Sequence, residues 1–135
     1  MSPVRSAAAK PASPPAPLIL LVEAHALTRM AVAGYLRDCG YQVVEADGAA
    51  EAKRLLEAGV APQVAFIDLD IKDEIDGFGL AQWIRAVRSD VKVLLTSGAR
   101  RTAATAGDLC EQGPYLAKPY DHRDLESQIR RLLAT

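Results

Sequence analysis

Four polar residues stand at or beside the ends of short apolar runs, where their side chains could share one site. They are Glu23, Asp68, Ser97 and Lys118. An aspartate carboxylate can accept a phosphoryl group, because this transfer depends mainly on in-line positioning and on neutralising the transferring oxygens. A second acid can help to hold a divalent cation, a serine hydroxyl can donate to a phosphoryl oxygen, and a lysine ammonium can pair with one. Each residue alone is a weak signal, but together they indicate phosphoryl chemistry.

Five apolar runs are predicted to be the strands that position these side chains. They span Leu18–Val22, Gln42–Ala46, Val64–Leu69, Val91–Thr96 and Tyr115–Ala117. Three of the runs are continuously apolar, as expected for parallel strands that are covered on both faces. The second run is weaker, which places it at an edge of the sheet.

Amphipathic stretches between the runs are predicted to be helices. They span Thr28–Cys39, Ala49–Ala58, Phe78–Ser89 and the segment that follows Asp121. Thr28 and Asp121 are candidate N-caps, and Gly40 is placed to end the first helix in a left-handed turn. The stretch Gly98–Gly113 has poor periodicity, so its fourth helix is expected to be short or partly irregular.

The alternation of strand and helix predicts an α/β fold. The fold would be a doubly wound five-stranded parallel sheet with helices on both faces, joined by right-handed crossovers. In such sheets, ligands bind at the carboxyl ends of the strands, near the point where the strand order reverses. The four polar side chains therefore converge on the edge at which a ligand is expected.

The composition indicates one globular domain preceded by a tail. The chain has 135 residues, of which 50% are hydrophobic and 24% charged, and a core of this size needs no disulfide or structural metal. Residues 1–17 are mostly Ala, Pro and Ser. They are predicted to be a disordered tail, because such residues bury little surface, and the domain is predicted to span 18–135.

Charge and hydropathy argue against nucleic acid and membrane as partners. Lys and Arg total 16 against 17 acids, and the pair Arg100-Arg101 is too short to form a basic face. No apolar run is long enough for a membrane span, and Leu18–Val22 is too short for a signal-peptide core. Cys39 and Cys110 lack metal-ligand spacing and are interpreted as reduced thiols. The protein is therefore expected to be cytoplasmic.

Four segments, in this order and at these separations, resemble the receiver domains of two-component response regulators: ILLVEAHALTRM, VAFIDLDIKDEIDGFGLA, VLLTSG and YLAKPY. The resemblance covers the chain from Leu18 to its end, and looks closest to the single-domain receivers of alphaproteobacteria. It implies a flavodoxin-like receiver fold and a phosphoacceptor signalling domain rather than an enzyme. Such a domain takes its phosphoryl group from a histidine kinase or a histidine phosphotransfer protein. It then signals by contact with a downstream protein that the sequence does not identify, and homodimerisation stays open.

The same resemblance assigns a role to each matching residue. Asp68 would be the phosphoacceptor, and Ser97 and Lys118 would bind the phosphoryl group. The cofactor would be Mg²⁺, held by Glu23, by Asp68 and by the backbone carbonyl of Asp70.

The resemblance also implies a switch and shows three departures from the family pattern. Tyr115 matches the aromatic residue that changes rotamer on activation. Ala24 replaces an acid that would normally ligate the metal, so Mg²⁺ is expected to bind weakly. Lys72 replaces a common proline, and the loop after Asp68 is one residue longer than usual.

Two other functions fit part of the pattern. A receiver fold that has lost phosphorylation would act only as an interaction module, and Ala24 supports that interpretation. Asp68-Leu69-Asp70 also resembles the DxD motif of haloacid-dehalogenase-like phosphatases. That family, however, places its nucleophile on the first strand, whereas Asp68 lies on the third predicted strand.

Overall fold

The computed structural model describes residues 15–98 and 113–135. Within them, five strands and four helices follow in the order β1 (Leu18–Val22), α1 (Ala26–Asp38), β2 (Gln42–Ala46), α2 (Ala49–Glu57), β3 (Val64–Asp68), α3 (Gly77–Val87), β4 (Lys92–Ser97), β5 (Tyr115–Ala117) and α4 (His122–Leu133). Most of the predicted fourth-helix stretch lies outside the described residues, and Arg100, Arg101 and Cys110 lie there too.

The strands form one parallel sheet in the order β2-β1-β3-β4-β5. The chain moves outward from β1 to β2 and then crosses back to β3, so the strand order reverses between β1 and β3. Glu23 and Asp68 lie at the carboxyl ends of these two strands. The predicted fold is confirmed, including the position of β2 at an edge.

Apolar side chains cover the sheet on both faces. Along β1, Ile19 and Leu21 pack into one buried cluster with α1 and α4, whereas Leu20 and Val22 pack into the other with α2 and α3. All five residues of β3 are buried. The continuous apolar sequence of the central strands reflects this burial on two faces.

Two helix ends were predicted correctly and one was not. Asp121 caps α4 by accepting a hydrogen bond from the backbone N–H of Arg123 at 2.8 Å, and Gly40 has φ of 100° after α1. The prediction that Thr28 caps α1 was wrong: the cap is His25, whose Nδ1 accepts from the backbone N–H of Thr28 at 3.3 Å. An imidazole nitrogen can accept this bond, although histidine is not a preferred N-cap residue.

Two strands differ by one residue from their predicted bounds: one is shorter at its end and the other is shifted. β3 ends at Asp68, one residue before the predicted end, and β4 spans Lys92–Ser97. Val91 belongs to the preceding turn, because its backbone N–H donates to the carbonyl of Arg88 at 3.0 Å. Ser97 is therefore part of β4 and pairs in register with Ala117 of β5.

The residues that precede β1 contact the edge of the sheet. The carbonyls of Pro17 and Ala16 accept hydrogen bonds from the backbone and side-chain N–H groups of Gln42 at 2.9 and 2.8 Å. Positions 1–14 of the predicted tail lie outside the described residues, so the tail boundary stays a prediction. No helix in the described part of the chain is long and apolar enough to cross a membrane.

Candidate functional site

The site is organised around the ammonium group of Lys118, which follows β5. Its Nζ lies 2.8 Å from Oδ2 of Asp68 and 3.1 Å from Oε1 of Glu23. Both acid side chains are only 6% exposed, and that of Lys118 is 27% exposed. Three of the four predicted residues therefore meet in one charged cluster at the reversal of strand order.

Hydrogen bonds and nearby charges hold the ammonium group of Lys118 in its charged form. Burial alone would lower the pKa of Lys118, but the hydrogen bonds to Asp68 and Glu23 outweigh burial and raise the pKa above its ordinary value. Buried carboxylates are costly unless a cation or hydrogen-bond donors compensate them. Lys118 supplies that compensation to both acids.

The second oxygen of Asp68 is held by the loop that follows β3. Oδ1 accepts a hydrogen bond from the backbone N–H of Asp70 at 2.9 Å. Gly77, at the start of α3, packs so closely that an added Cβ would lie 2.6 Å from the carbonyl oxygen of Asp68. The two carboxylate oxygens thus have different partners, one backbone donor and one cation, which fix the orientation of the side chain.

Asp70 links the same loop to the turn after β4. Its Oδ2 accepts a hydrogen bond from the backbone N–H of Gly98 at 2.8 Å. Asp70 is exposed, and its side chain is directed to Gly98, while its backbone N–H is directed to Asp68. This geometry is compatible with the prediction that Asp70 would serve a metal through its carbonyl rather than its carboxylate.

Ser97 and Tyr115 are brought together at the adjoining strand ends. The Ser97 hydroxyl is buried and lies 2.9 Å from the hydroxyl of Tyr115. Ser97 comes directly after Thr96, which is the register partner of Asp68. The predicted phosphoryl-binding serine and the predicted switch tyrosine therefore share a hydrogen bond one residue beyond the acceptor's level in the sheet.

Ala24 stands where the family pattern has an acid, so this position carries no charge. Ala24 is exposed, and the next residue, His25, donates its backbone N–H to Oε2 of Glu23 at 3.0 Å. The described residues contain no group of three acidic, histidine or cysteine side chains that could hold a metal ion. Two carboxylates and a backbone carbonyl still suit Mg²⁺, which keeps several waters when the protein offers few oxygen ligands. The spot between Glu23 and Asp68 also accepts a cation, since the Lys118 ammonium binds there.

Arg29 is a part of the site that the sequence did not reveal. Its Nη1 donates to the carbonyl oxygen of Glu23 at 2.9 Å, and its Nε donates to Glu45 of β2 at 3.3 Å. The Arg29 side chain is 19% exposed. It braces the carboxyl end of β1 from α1. The sequence feature that could have pointed to Arg29 is its position in the segment ILLVEAHALTRM, which also contains Glu23.

Tyr120 is a second residue that sequence reasoning did not assign. Burial raises the pKa of the Tyr120 phenol to about 12. The charge of Lys118 opposes this rise, and the charges of Glu23 and Asp68 add to it. Lys118, Tyr120 and residues of α1 line a cavity of about 510 Å³ beside the cluster. The position of Tyr120, two residues after Lys118, was the available signal.

Comparison with known proteins gives a family match. The sequence-family model of the response regulator receiver domain matches residues 19–130. The transcriptional regulatory protein GltR of Pseudomonas aeruginosa is 30% identical over 118 residues, which are 85% of this chain and 48% of that protein. PhoP of Escherichia coli is 28% identical over 117 residues, which are 85% of this chain and 51% of PhoP. The chain thus spans about half the length of the curated relatives it matches.

Solved structures agree with the fold. A CheY-like response regulator receiver domain protein from Methanospirillum hungatei superposes with a TM-score of 0.78 at 22% identity, covering 88% of this chain and 94% of that one. NtrX from Brucella abortus superposes with a TM-score of 0.79 at 27% identity, covering 88% of this chain and 27% of that one. Similarity to the first of these shows the fold alone.

Proposed function

The chain belongs to the response regulator receiver domain family, and on that premise we propose that Asp68 accepts a phosphoryl group from a histidine kinase or a histidine phosphotransfer protein. The observation that carries this proposal is the ammonium of Lys118, hydrogen-bonded to both Asp68 and Glu23 at the reversal of strand order. That arrangement joins a buried carboxylate nucleophile to a cation that can pair with a phosphoryl oxygen.

The transfer forms one bond and breaks one. An oxygen of Asp68 attacks the phosphorus, the bond from phosphorus to the donor nitrogen breaks, and the histidine leaves with that electron pair. When bound, Mg²⁺, the cation that receiver domains typically hold, would supply positive charge that neutralises the transferring oxygens. Glu23, Asp68 and the carbonyl of Asp70 would hold it, and Ala24 makes this binding weak.

Lys118 and Ser97 stabilise the product in this proposal. Once Asp68 is phosphorylated, Lys118 turns from the carboxylates to a phosphoryl oxygen, which now carries the negative charge. In the unphosphorylated protein the Ser97 hydroxyl lies 2.9 Å from the Tyr115 hydroxyl. After phosphorylation it donates to another phosphoryl oxygen. Tyr115 then loses or rearranges its partner, which makes it the switch that reports phosphorylation to the surface.

The signal leaves the domain by protein contact in this proposal. The phosphorylated form of the domain would contact a downstream protein or a second copy of itself. Its action would be cytoplasmic, where histidine kinases present their phosphoryl groups.

Incubation with Mg²⁺ and acetyl phosphate tests this function. Wild type should gain one phosphoryl group per chain, and Asp68→Asn should gain none. Repeated turnover of p-nitrophenyl phosphate by wild type would instead favour the alternative function, a haloacid-dehalogenase-like phosphatase. Absence of modification in wild type, both with acetyl phosphate and with a phosphorylated kinase, would favour an interaction module that does not depend on phosphorylation.

A further inference from the structure

The loop between β3 and α3 is fastened to the N-terminus of α2 by Asp73. Oδ2 of Asp73 accepts a hydrogen bond from the backbone N–H of Ala50 at 3.0 Å. Gly48 is the N-cap residue of α2 and has no side chain with which to cap it. The first N–H groups of a helix need outside acceptors, and a carboxylate suits them because it also interacts favourably with the helix dipole. Asp73 thus caps α2 from a different loop.

Gly48 provides the space in which this carboxylate lies. A Cβ at position 48 would lie 2.7 Å from Oδ2 and 3.3 Å from Cγ of Asp73. The backbone of Gly48 is extended, with φ of −175°, and any residue adopts that conformation. The close approach of Asp73, rather than backbone geometry, is therefore what a side chain at position 48 would disturb.

The fastened loop is the one that surrounds the acceptor. Asp70 donates its backbone N–H to Oδ1 of Asp68 and accepts from Gly98 through its carboxylate. Three residues later, Asp73 binds α2, and its Oδ1 accepts from the backbone N–H of Glu74 at 2.7 Å. The loop is therefore held on one side by the end of β4 and on the other by the start of α2.

We propose that Asp73 is a positioning residue for the cation site at Asp68. This inference rests on the proposed function, because it concerns Mg²⁺ binding that supports phosphorylation. The bond to Ala50 keeps the loop in the conformation in which Asp70 meets Asp68, so the carbonyl of Asp70 is presented to Mg²⁺ without a further ordering cost. Without this bond, the loop must be ordered when Mg²⁺ binds, and the affinity falls.

Two substitutions break the same contact from opposite sides. Asp73→Ala removes the acceptor, and Gly48→Ala displaces it while leaving every charge in place. Each should weaken Mg²⁺ binding about fivefold, the effect expected from loss of a helix-cap hydrogen bond. The double variant should be no weaker than the worse single variant, because both changes remove one contact. Asp73→Asn should recover part of the affinity, because its amide oxygen can still accept from Ala50.

Glu74→Ala is the matched control. It removes the same charge from the next position of the loop and keeps the backbone N–H that donates to Asp73. Mg²⁺ affinity is measured by calorimetric titration of folded protein, and the rate of phosphorylation by acetyl phosphate is measured at low and at saturating Mg²⁺. The positioning role predicts slower phosphorylation of Asp73→Ala and Gly48→Ala at low Mg²⁺ and wild-type rates at saturation. A purely structural role would lower thermal stability and leave these quantities unchanged.

The outcomes separate this inference from the proposed function. Wild type that binds Mg²⁺ and is phosphorylated, with Gly48→Ala and Asp73→Ala matching it in Mg²⁺ affinity, would overturn the inference alone. An equal loss in Glu74→Ala would also overturn it, because charge and not the contact would then be responsible. Wild type that neither binds Mg²⁺ nor is phosphorylated would overturn the proposed function and the positioning role with it. If Asp73→Ala does not fold, Gly48→Ala decides the question.

Discussion

The ammonium group of Lys118 lies 2.8 Å from Oδ2 of Asp68, and this contact joins the residue that would accept the phosphoryl group to the residue that would bind it. Because the same ammonium also reaches Glu23, Lys118 compensates two buried carboxylates at once. A divalent cation at these acids must therefore compete with Lys118 or take over its role.

Replacing Lys118 with Ala should destabilise the metal-free protein and strengthen its response to Mg²⁺. Loss of the compensating cation should lower the free energy of unfolding by about 1–3 kcal/mol, less than for a fully buried pair because Lys118 is partly exposed. Mg²⁺ should raise the melting temperature of Lys118→Ala more than that of wild type. Lys92→Ala, which removes a cation from the start of β4, is the control. If Mg²⁺ raises the melting temperature of wild type and of Lys118→Ala equally, the metal and the ammonium do not compete.

Replacing Ala24 with Asp should tighten Mg²⁺ binding. One more carboxylate adds an attraction of about 1.4 kcal/mol, which corresponds to roughly tenfold in affinity. The same carboxylate adds repulsion near Glu23, so the metal-free protein should become less stable. Ala24→Asn has nearly the same shape without the charge and is the control in calorimetric titrations. Wild type that binds Mg²⁺ as tightly as Ala24→Asp would mean that another residue, such as Asp70 or His25, supplies the missing ligand.

Stability should fall at alkaline pH through two tyrosines. Burial raises the pKa of Tyr120 to about 12, and burial together with a hydrogen bond to Glu126 raises the pKa of Tyr41 to about 12. The stability that these groups contribute is fully present below their ordinary pKa of 10 and is lost as pH rises through the raised value, because the unfolded chain ionises first. The raised pKa of Lys118 acts in the same direction in this range.

Urea unfolding between about pH 9 and 12 checks this dependence. Tyr120→Phe and Tyr41→Phe should each flatten the fall, because phenylalanine cannot ionise, and the double variant should flatten it further. A fall as steep in the double variant as in wild type would assign the alkaline loss to other groups.

Replacing Thr96 with Val should leave the protein as stable as wild type or more stable. Thr96 is 1% exposed, and its hydroxyl has no hydrogen-bond partner among residues 15–98 and 113–135. Valine has a methyl group of similar size in place of the hydroxyl. Loss of this buried polar atom should stabilise the fold by about 1 kcal/mol. Thr96→Ser keeps the hydroxyl, loses the methyl and should be destabilised. A clear loss of stability in Thr96→Val would show that the hydroxyl is satisfied in the folded protein.

The sequence predicted the sheet well because burial on two faces leaves a plain signal. The continuous apolar run before Asp68 marks a central strand, and the carboxyl ends of parallel strands necessarily share one edge. The cluster of Glu23, Asp68 and Lys118 could therefore be placed before the structure was known. Strand bounds were less accurate, since Val91 and Leu69 are as apolar as the strand residues beside them.

Contacts that depend on exact loop geometry could not be predicted. The cap of α1 by His25 uses an imidazole nitrogen where Thr28 was the better candidate by residue type. The bond from Ala50 to Asp73 joins the start of α2 to the loop after β3, and neither Gly48 nor Asp73 carries a distinctive sequence pattern. The bridging position of Lys118 between two acids depends on side-chain conformation, which apolar periodicity does not report.

Phosphorylation of Asp68 is tested most directly by identifying the residue that carries the phosphoryl group. Wild type is incubated with Mg²⁺ and acetyl phosphate, digested and analysed by mass spectrometry, with and without hydroxylamine. We expect a single modified site at Asp68 that hydroxylamine removes, because that nucleophile cleaves an acyl phosphate but not a phosphoserine. A phosphoryl group found on Ser97 or on a histidine, or one that persists in Asp68→Asn, would contradict it.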